Sequence, residues 1–305
     1  MRSLYNDKKK MIKKQRNNIN GWININKPYG VNSTKVVAIL KRYYNAKKVG
    51  HAGTLDPLAE GVLPIAFGEA TKTINYMMDA KKEYEFTIKW GEATSTDDAE
   101  GEVIATSDKN PTENEIRTSL PHFLGEIEQT PPAFSAIKIN GQRAYDLARK
   151  GEDVKIKSRM VNIYDLEYLG DNTFRTTCSK GTYIRSLARD LAEHLGTKGH
   201  VTMLKRTKVG NFCIKSAILL DMFDNKVYKD GSDELLLPVE QVLDDIPVLD
   251  FTEEEATSIR QGKTVTFEQE ALMIDEIIVI KSDGKLIALG KVGNGYVKPS
   301  RVFNL

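Results

Sequence analysis

Hydrophobic and polar positions recur along the chain at two spacings, and each spacing predicts an element. At Gly21 to Asn26, Trp22 stands on one parity with Ile23 and Ile25 on the other, which predicts a short strand that Lys27-Pro28-Tyr29-Gly30 then turns. From about Thr34 to Tyr44, Val36, Val37, Leu40, Tyr43 and Tyr44 recur three and four apart, predicting a helix capped by Asn32 or Ser33 with its lysines mostly on the opposite face. Tyr84, Phe86, Ile88 and Trp90 alternate with Glu85, Thr87 and Lys89, a strand with one packed row and one wet row. Thr112 and Glu115 make a capping-box pattern ahead of Ile116 and Leu120, and Pro121 interrupts that helix. Met160 to Leu169 and Thr173 to Cys178 read as two strands joined by a Gly170-Asp171-Asn172 turn. Beyond Gly181, Ile184, Leu187, Ala188, Leu191 and Leu195 repeat at helical spacing until Gly196 stops them. After a soft boundary near Asp230 to Asp245, a short helix from Phe251 to Ile259 precedes two apolar runs. These flank Ser282-Asp283-Gly284-Lys285, an Asp-Gly hairpin, and Val292 to Phe303 adds a last extended stretch.

The length, 305 residues, suits one large domain with a smaller one, and 40% hydrophobic with 28% charged residues is the composition of a soluble globular protein. No run approaches the roughly 18 apolar residues of a membrane helix. The basic N-terminus has no apolar stretch behind it, so no secretory signal is read and a cytoplasmic location is expected. Cys178 and Cys213 are too few for a disulfide framework. His51, His122, His194 and His200 lack the paired spacing of a metal hydrolase, so no metal site is expected.

Charge changes the picture, because the net +2 divides into +12 over residues 1–55 and −10 over the rest. Residues 1–19, rich in lysine and asparagine, predict a basic disordered arm. The lysines from Lys35 to Lys48 feed directly into the stretch His51 to Lys72, as a phosphate-backbone partner would require. In that stretch one carboxylate, Asp56, stands in a small and apolar run with Pro57 behind it, and Gly50, Gly53 and Gly61 permit unusual backbone angles. The segment predicts a shaped loop. Asp-Pro is also an ordinary turn pair, so these residues alone leave open whether Asp56 is catalytic or structural.

The same residues carry a resemblance. His51, Gly53, Leu55-Asp56-Pro57-Leu58-Ala59, Gly61, Leu63-Pro64 and Gly68-Glu69-Ala70-Thr71-Lys72 resemble the signature loop of bacterial TruB-type tRNA pseudouridine synthases. Lys27 to Ser33 is similar to that family's opening motif, the polar run Thr94 to Gly101 to its pattern there, and Lys180-Gly-Thr-Tyr-Ile-Arg185 to a further motif. His200 to Thr207 and Val209 to Phe212 complete the matching segment. The similarity is close from Trp22 to Phe212 and looser in the tail, whose short helix and small strands resemble a PUA domain.

What the resemblance implies is specific. The fold would be α+β, with a catalytic domain over residues 20–240 built on a mixed, largely antiparallel sheet flanked by helices and loops. A small PUA-like β-barrel would occupy 247–305. Residues from about 125 to 151 would form an RNA-facing insertion, with Lys138, Arg143, Arg149 and Lys150 meeting phosphates beside the aromatic faces of Phe134 and Tyr145. Asp56 would be the essential catalytic residue, paired with Arg185. Tyr84, Tyr183 and Leu204 would enclose a flipped uridine, Tyr84 also offering its hydroxyl for late proton removal at C5, and His51 would hold the RNA open from outside. The substrate would be uridine 55 in the TΨC stem-loop of tRNA, handled by a monomer without guide RNA. Moving C1′ from N1 to C5 adds and removes nothing, so no cofactor is implied. Lys27 would brace the loop, and Thr94 to Gly101 reads as a connector without a catalytic task.

Overall fold

The computed structural model describes residues 15–135, 137–139, 141–145, 156–223, 232–267 and 273–305. Residues 1–14 of the expected arm lie outside this set, as do Arg149 and Lys150. At the arm's base, Asn17 is fastened: its amide donates to Asn45 O at 2.8 Å and its carbonyl accepts from the Lys47 amide at 3.0 Å.

Ten strands form the large sheet. In chain order they are β1 (Gly21–Lys27), β2 (Val49–His51), β3 (Ala59–Phe67), β4 (Lys82–Trp90), β5 (Gly125–Gln129), β6 (Arg159–Gly170), β7 (Thr173–Cys178), β8 (Gly199–Val209), β9 (Phe212–Cys213) and β10 (Ile218–Leu219). Their order across the sheet is β10-β1-β3-β8-β4-β7-β6-β5, with β2 on β3 and β9 on β8. Pairing is antiparallel except for β10 with β1 and β8 with β3, which gives the mixed, largely antiparallel sheet of an α+β fold. Helices α1 (Ser33–Tyr43), α2 (Ile74–Asp79), α3 (Glu113–Ser119) and α4 (Ile184–His194) flank it. A five-stranded sheet follows, in the order β11 (Val248–Asp250), β13 (Ile277–Ser282), β14 (Lys285–Gly293), β15 (Tyr296–Val302) and β12 (Val265–Thr266), with helix α5 (Glu253–Arg260) against it.

Local chemistry explains several of these elements. Asn32 caps α1, its side chain accepting from the Lys35 amide at 2.7 Å, which leaves Ser33 free for another task. Thr112 with Glu115, and Thr252 with Glu255, form capping boxes with both reciprocal bonds made. Asp283 and Gly284 adopt positive φ, 48° and 72°, as the two-residue turn between β13 and β14 needs.

One expectation is corrected here. Read as a shaped loop, His51 to Lys72 contains instead the nine-residue strand β3, and only the part before Ala59 is loop. Val62, Leu63, Ile65, Ala66 and Phe67 are all fully buried, so the run is apolar without alternation because both of its faces are covered. Gly61 and Pro64, which punctuate the sequence like a loop, sit inside the strand: Pro64 pairs with Asn24, and Gly61 lies opposite Arg206.

Two cores cover the large sheet. One gathers Phe86, Ile88, Phe174, Leu187 and Leu191 under α4; the other gathers Ile23, Ile25, Val36, Leu40, Leu63 and Ile65 under α1. Tyr84 and Leu204 pack against both, so the seam between the cores runs along β4 and β8. A third cluster, with Trp22, Val62, Ala66, Phe212, Leu289 and Phe303, joins the large sheet to the five-stranded one.

Candidate active site

The loop between β2 and β3 carries Asp56, and side chains from outside the loop hold its backbone. Ser33, freed from capping, donates its hydroxyl to Leu55 O at 3.0 Å and accepts from the Leu55 amide at 2.9 Å. The Lys27 ammonium, fully buried, donates to the carbonyls of Pro28, Val31 and Pro57 at 3.0, 2.5 and 3.2 Å. Lys27 thus ties the loop at Pro57 to the turn after β1. Burial pushes its amine down to about 8, with the Asp56 charge opposing that shift and Arg206 adding to it. Asp56 is fixed on both flanks while its side chain keeps 40% exposure, so a bound molecule can reach it.

Arg185 reaches the loop from α4. At the entrance of that helix Gln129 takes the place of a capping side chain, accepting from the Tyr183 amide at 2.7 Å and donating to Tyr183 O at 3.1 Å. The Arg185 guanidinium, 6% exposed, lies 3.0 Å from Asp56 Oδ2 through Nη2 and 3.1 Å from Asp98 Oδ2 through Nη1. It also donates to Thr96 O at 2.8 Å and Phe134 O at 3.0 Å. Two carboxylates and two carbonyls meet one planar cation, an arrangement that fixes its direction and through it that of Asp56. One turn along α4, Arg189 pairs with Asp97 at 2.8 Å, so two adjacent aspartates meet two arginines four residues apart.

Asp56, Pro57, Thr96, Asp98, Phe134 and Arg185 are among the side chains around a cavity of about 680 Å³. Tyr145 also lines it, brought there because its amide donates to Ser135 O at 3.1 Å. The expected insertion therefore contributes wall residues; the side chains of Lys138 and Arg143 lie outside the described set.

The remaining expected residues take different places. Tyr84 and Leu204 both lie at the seam between the cores, Tyr84 in register with Arg206 of β8 and Leu204 with Ala59 of β3 and Phe86 of β4. Burial pushes the Tyr84 phenol up, while the charge of Arg206 and a hydrogen bond to it oppose the shift. A phenol so raised stays protonated at neutral pH. It offers a face and a hydroxyl donor. Tyr183 is the N-cap residue of α4, with the Arg159 guanidinium 5.0 Å above its ring. His51 is half-buried at the end of β2; its Nδ1 is buried without a hydrogen-bond partner, and burial together with Arg206 pushes its pKa down, so the ring is neutral. Of the six residues, Asp56 and Arg185 form the ion pair on the cavity wall, whereas His51, Tyr84, Tyr183 and Leu204 are not among its lining side chains.

Sequence reasoning missed Asp98. The run Thr94 to Gly101 read as a connector, yet it presents Asp98 to Arg185 and positions that carboxylate through the Thr96 hydroxyl at 2.5 Å and the Glu100 amide at 3.0 Å. Two neighbouring aspartates in a loop, set against Arg185 and Arg189 at helical spacing, were the available signal.

Comparison with known proteins follows from this geometry. A family model described as TruB family pseudouridylate synthase, N-terminal domain, matches residues 41–184, and one described as tRNA pseudouridylate synthase B C-terminal domain matches 185–244. The tRNA pseudouridine synthase B of Bradyrhizobium diazoefficiens is 48% identical, over 96% of this chain and 88% of its own. That of Rhodospirillum rubrum is 49% identical, over 94% and 97%. Among solved structures, Cbf5 in a Cbf5–Nop10–Gar1 complex is similar with a TM-score of 0.71 at 26% identity, over 93% of this chain and 85% of that one.

Proposed function

The chain belongs to the TruB family of pseudouridylate synthases, and from that premise we propose that it isomerises uridine 55 in the TΨC arm of tRNA, with Asp56 as the catalytic group. It is a tRNA pseudouridine synthase, an isomerase acting on RNA. The observation that carries the assignment of chemistry is the Asp56–Arg185 pair, a reachable carboxylate held by a buried guanidinium at the wall of a cavity.

The reaction breaks N1–C1′, forms C5–C1′ and leaves the C5 proton on N1, so atoms balance without a second reactant. A carboxylate acting on the sugar must be charged and aimed, and Arg185 supports both needs while Asp98 holds Arg185 in place. The target nucleotide has to leave its stack, at a cost of about a few kcal/mol, before it can enter. The ring of Tyr84 and the side chain of Leu204 offset that cost from the seam beside the loop. Tyr183 stands at the entrance of α4, and the half-buried ring of His51 at the end of β2 is suited to stacking on a base outside the pocket.

Exposed Lys35, Arg42, Lys47 and Lys48 on α1 and the turn after it form no ion pair among the described residues, which supports a phosphate-binding face next to the loop. The five-stranded sheet with α5 is compatible with a PUA-like unit, and we read it as a second RNA-contacting element of a monomer that needs no guide RNA. No helix among the described residues is long and apolar enough to cross a membrane.

The experiment is pseudouridine formation on an unmodified tRNA transcript by the purified chain, with chelator present and Asp56→Ala alongside. Product confined to position 55 and lost in the variant is expected. Product elsewhere would refute the proposed target, and product from the variant would refute the role of Asp56.

A further inference from the structure

Arg206 is the buried cation that the chemistry above leaves unused. It is 1% exposed, and among the described residues no carboxylate pairs with it, whereas Arg185 has two. A buried guanidinium is costly unless its donors are met. Here two backbone carbonyls and the Tyr84 hydroxyl meet them: Nε donates to Val62 O at 2.8 Å and Nη2 to Gly53 O at 3.0 Å, and the phenol hydrogen-bonds the same guanidinium. Those carbonyls stand on opposite sides of Asp56, one in the stem that enters the loop and one in the strand that leaves it.

The sheet brings Arg206 to this place. On β8 it lies opposite Gly61 of β3 and opposite Tyr84 of β4. Gly61 has φ +103°, and a Cβ there would come within 2.2 Å of Arg206 O, so this approach of β3 to β8 requires glycine. A guanidinium suits the span because its donors diverge from a rigid plane; the three donors of a lysine radiate from one nitrogen on a flexible stem and cannot hold the two carbonyls at a fixed separation.

We propose that Arg206 is a positioning residue that aims the Asp56 carboxylate by tying the two stems of its loop together, without touching the substrate. This rests on the reading of Asp56 as the catalytic group. Ser33 and Lys27 hold the middle of the loop at Leu55 and Pro57, and Arg206 closes its base. A shift of about 1 Å at a reacting group can lower a rate by about a hundredfold, so slack at the base of the loop registers in turnover before it registers in binding.

The test compares the wild-type chain with Arg206→Lys, Ser33→Ala and the double variant, reading kcat for pseudouridine formation, Kd for tRNA, and thermal unfolding. Arg206→Lys keeps the buried charge but gathers its donors on one nitrogen. It is expected to fold, to lose at least about tenfold in kcat, and to bind tRNA within about threefold of wild type. Because Ser33 and Arg206 act on one loop, their effects on kcat should not multiply independently. A folded Arg206→Lys with unchanged kcat would overturn the proposal. So would a loss carried wholly by Kd, independent effects in the double variant, or an Arg206→Lys chain that does not fold, which would make the guanidinium a determinant of folding. Absence of product from the wild type in the same assay would instead refute the reading of the site.

Discussion

The two ends of the segment His51 to Lys72 do unrelated work. Before β3, the chain is loop, and the side chains of Lys27, Ser33 and Arg206 bond its backbone on both sides of Asp56, which pairs with Arg185. After β3, Glu69 and Lys72 have no part in the cavity. Lys72 pairs with Glu69 at 2.6 Å and donates to Val302 O at 2.7 Å, and Glu69 accepts from the Asn304 amide at 2.7 Å. Phe303, between those two contacts, sits in the cluster that joins the two sheets, with the Lys72 ammonium 5.8 Å from its ring. Nine residues of buried strand, about 30 Å at full extension, separate the Asp56 end from the fastening end. A single run of sequence therefore carries both the Asp56 loop and a joint between sheets.

The comparison can be broken most severely at Asp56. Asp56→Asn removes charge and little volume, so turnover should vanish while tRNA affinity stays within about an order of magnitude; a large loss of binding would make the aspartate structural. Next comes Arg185→Lys, which keeps the charge but cannot hold Asp56, Asp98 and two carbonyls together. A fall in kcat of about a hundredfold with little change in thermal unfolding is expected, and an equal loss of stability would move Arg185 to the fastening class.

Lys27 gives a smaller effect that is read in stability. Its amine titrates near 8 in the folded chain and near 10.5 unfolded, so between those values the unfolded state binds more protons. Wild-type stability relative to Lys27→Met should therefore rise as pH climbs from about 8 to 10.5. A difference that is flat with pH would show that the amine is not the buried cation described. Smallest in catalysis is the fastening end. Glu69→Gln with Lys72→Met should leave kcat on a short TΨC stem-loop within about twofold and cost about 1–3 kcal/mol in stability, measured by denaturant unfolding. A tenfold loss of kcat on that stem-loop would erase the distinction between the two ends.

How much of this was legible depends on the range of the interaction. Local patterns were readable: the Thr112–Glu115 capping box, the Asp283-Gly284 turn, the packed row of Tyr84, Phe86, Ile88 and Trp90, and the helix from Ile184. Central strand β8 was not, because bulges between Val201 and Met203 and between Arg206 and Lys208 break its alternation, and because a fully buried arginine reads as surface. Asp98 escaped for a different cause. Its partner is Arg185, distant in sequence, and only the folded sheet brings the polar loop over the entrance of α4. Asn32 and Ser33 were both plausible caps, and the structure separates them only because the bond from Ser33 to Leu55 spans from α1 to the loop.

Gly61 has a consequence at the level of the gene. Any single-nucleotide change of a glycine codon that alters the residue either ends the chain or introduces a Cβ, and here a Cβ meets the carbonyl of Arg206. Apart from synonymous codons, the position has no neutral neighbours in codon space. In a library selected for activity it would look as constrained as Asp56, although it offers no side chain. Intolerance to change at Gly61 would record how closely two strands approach, and would say nothing about chemistry.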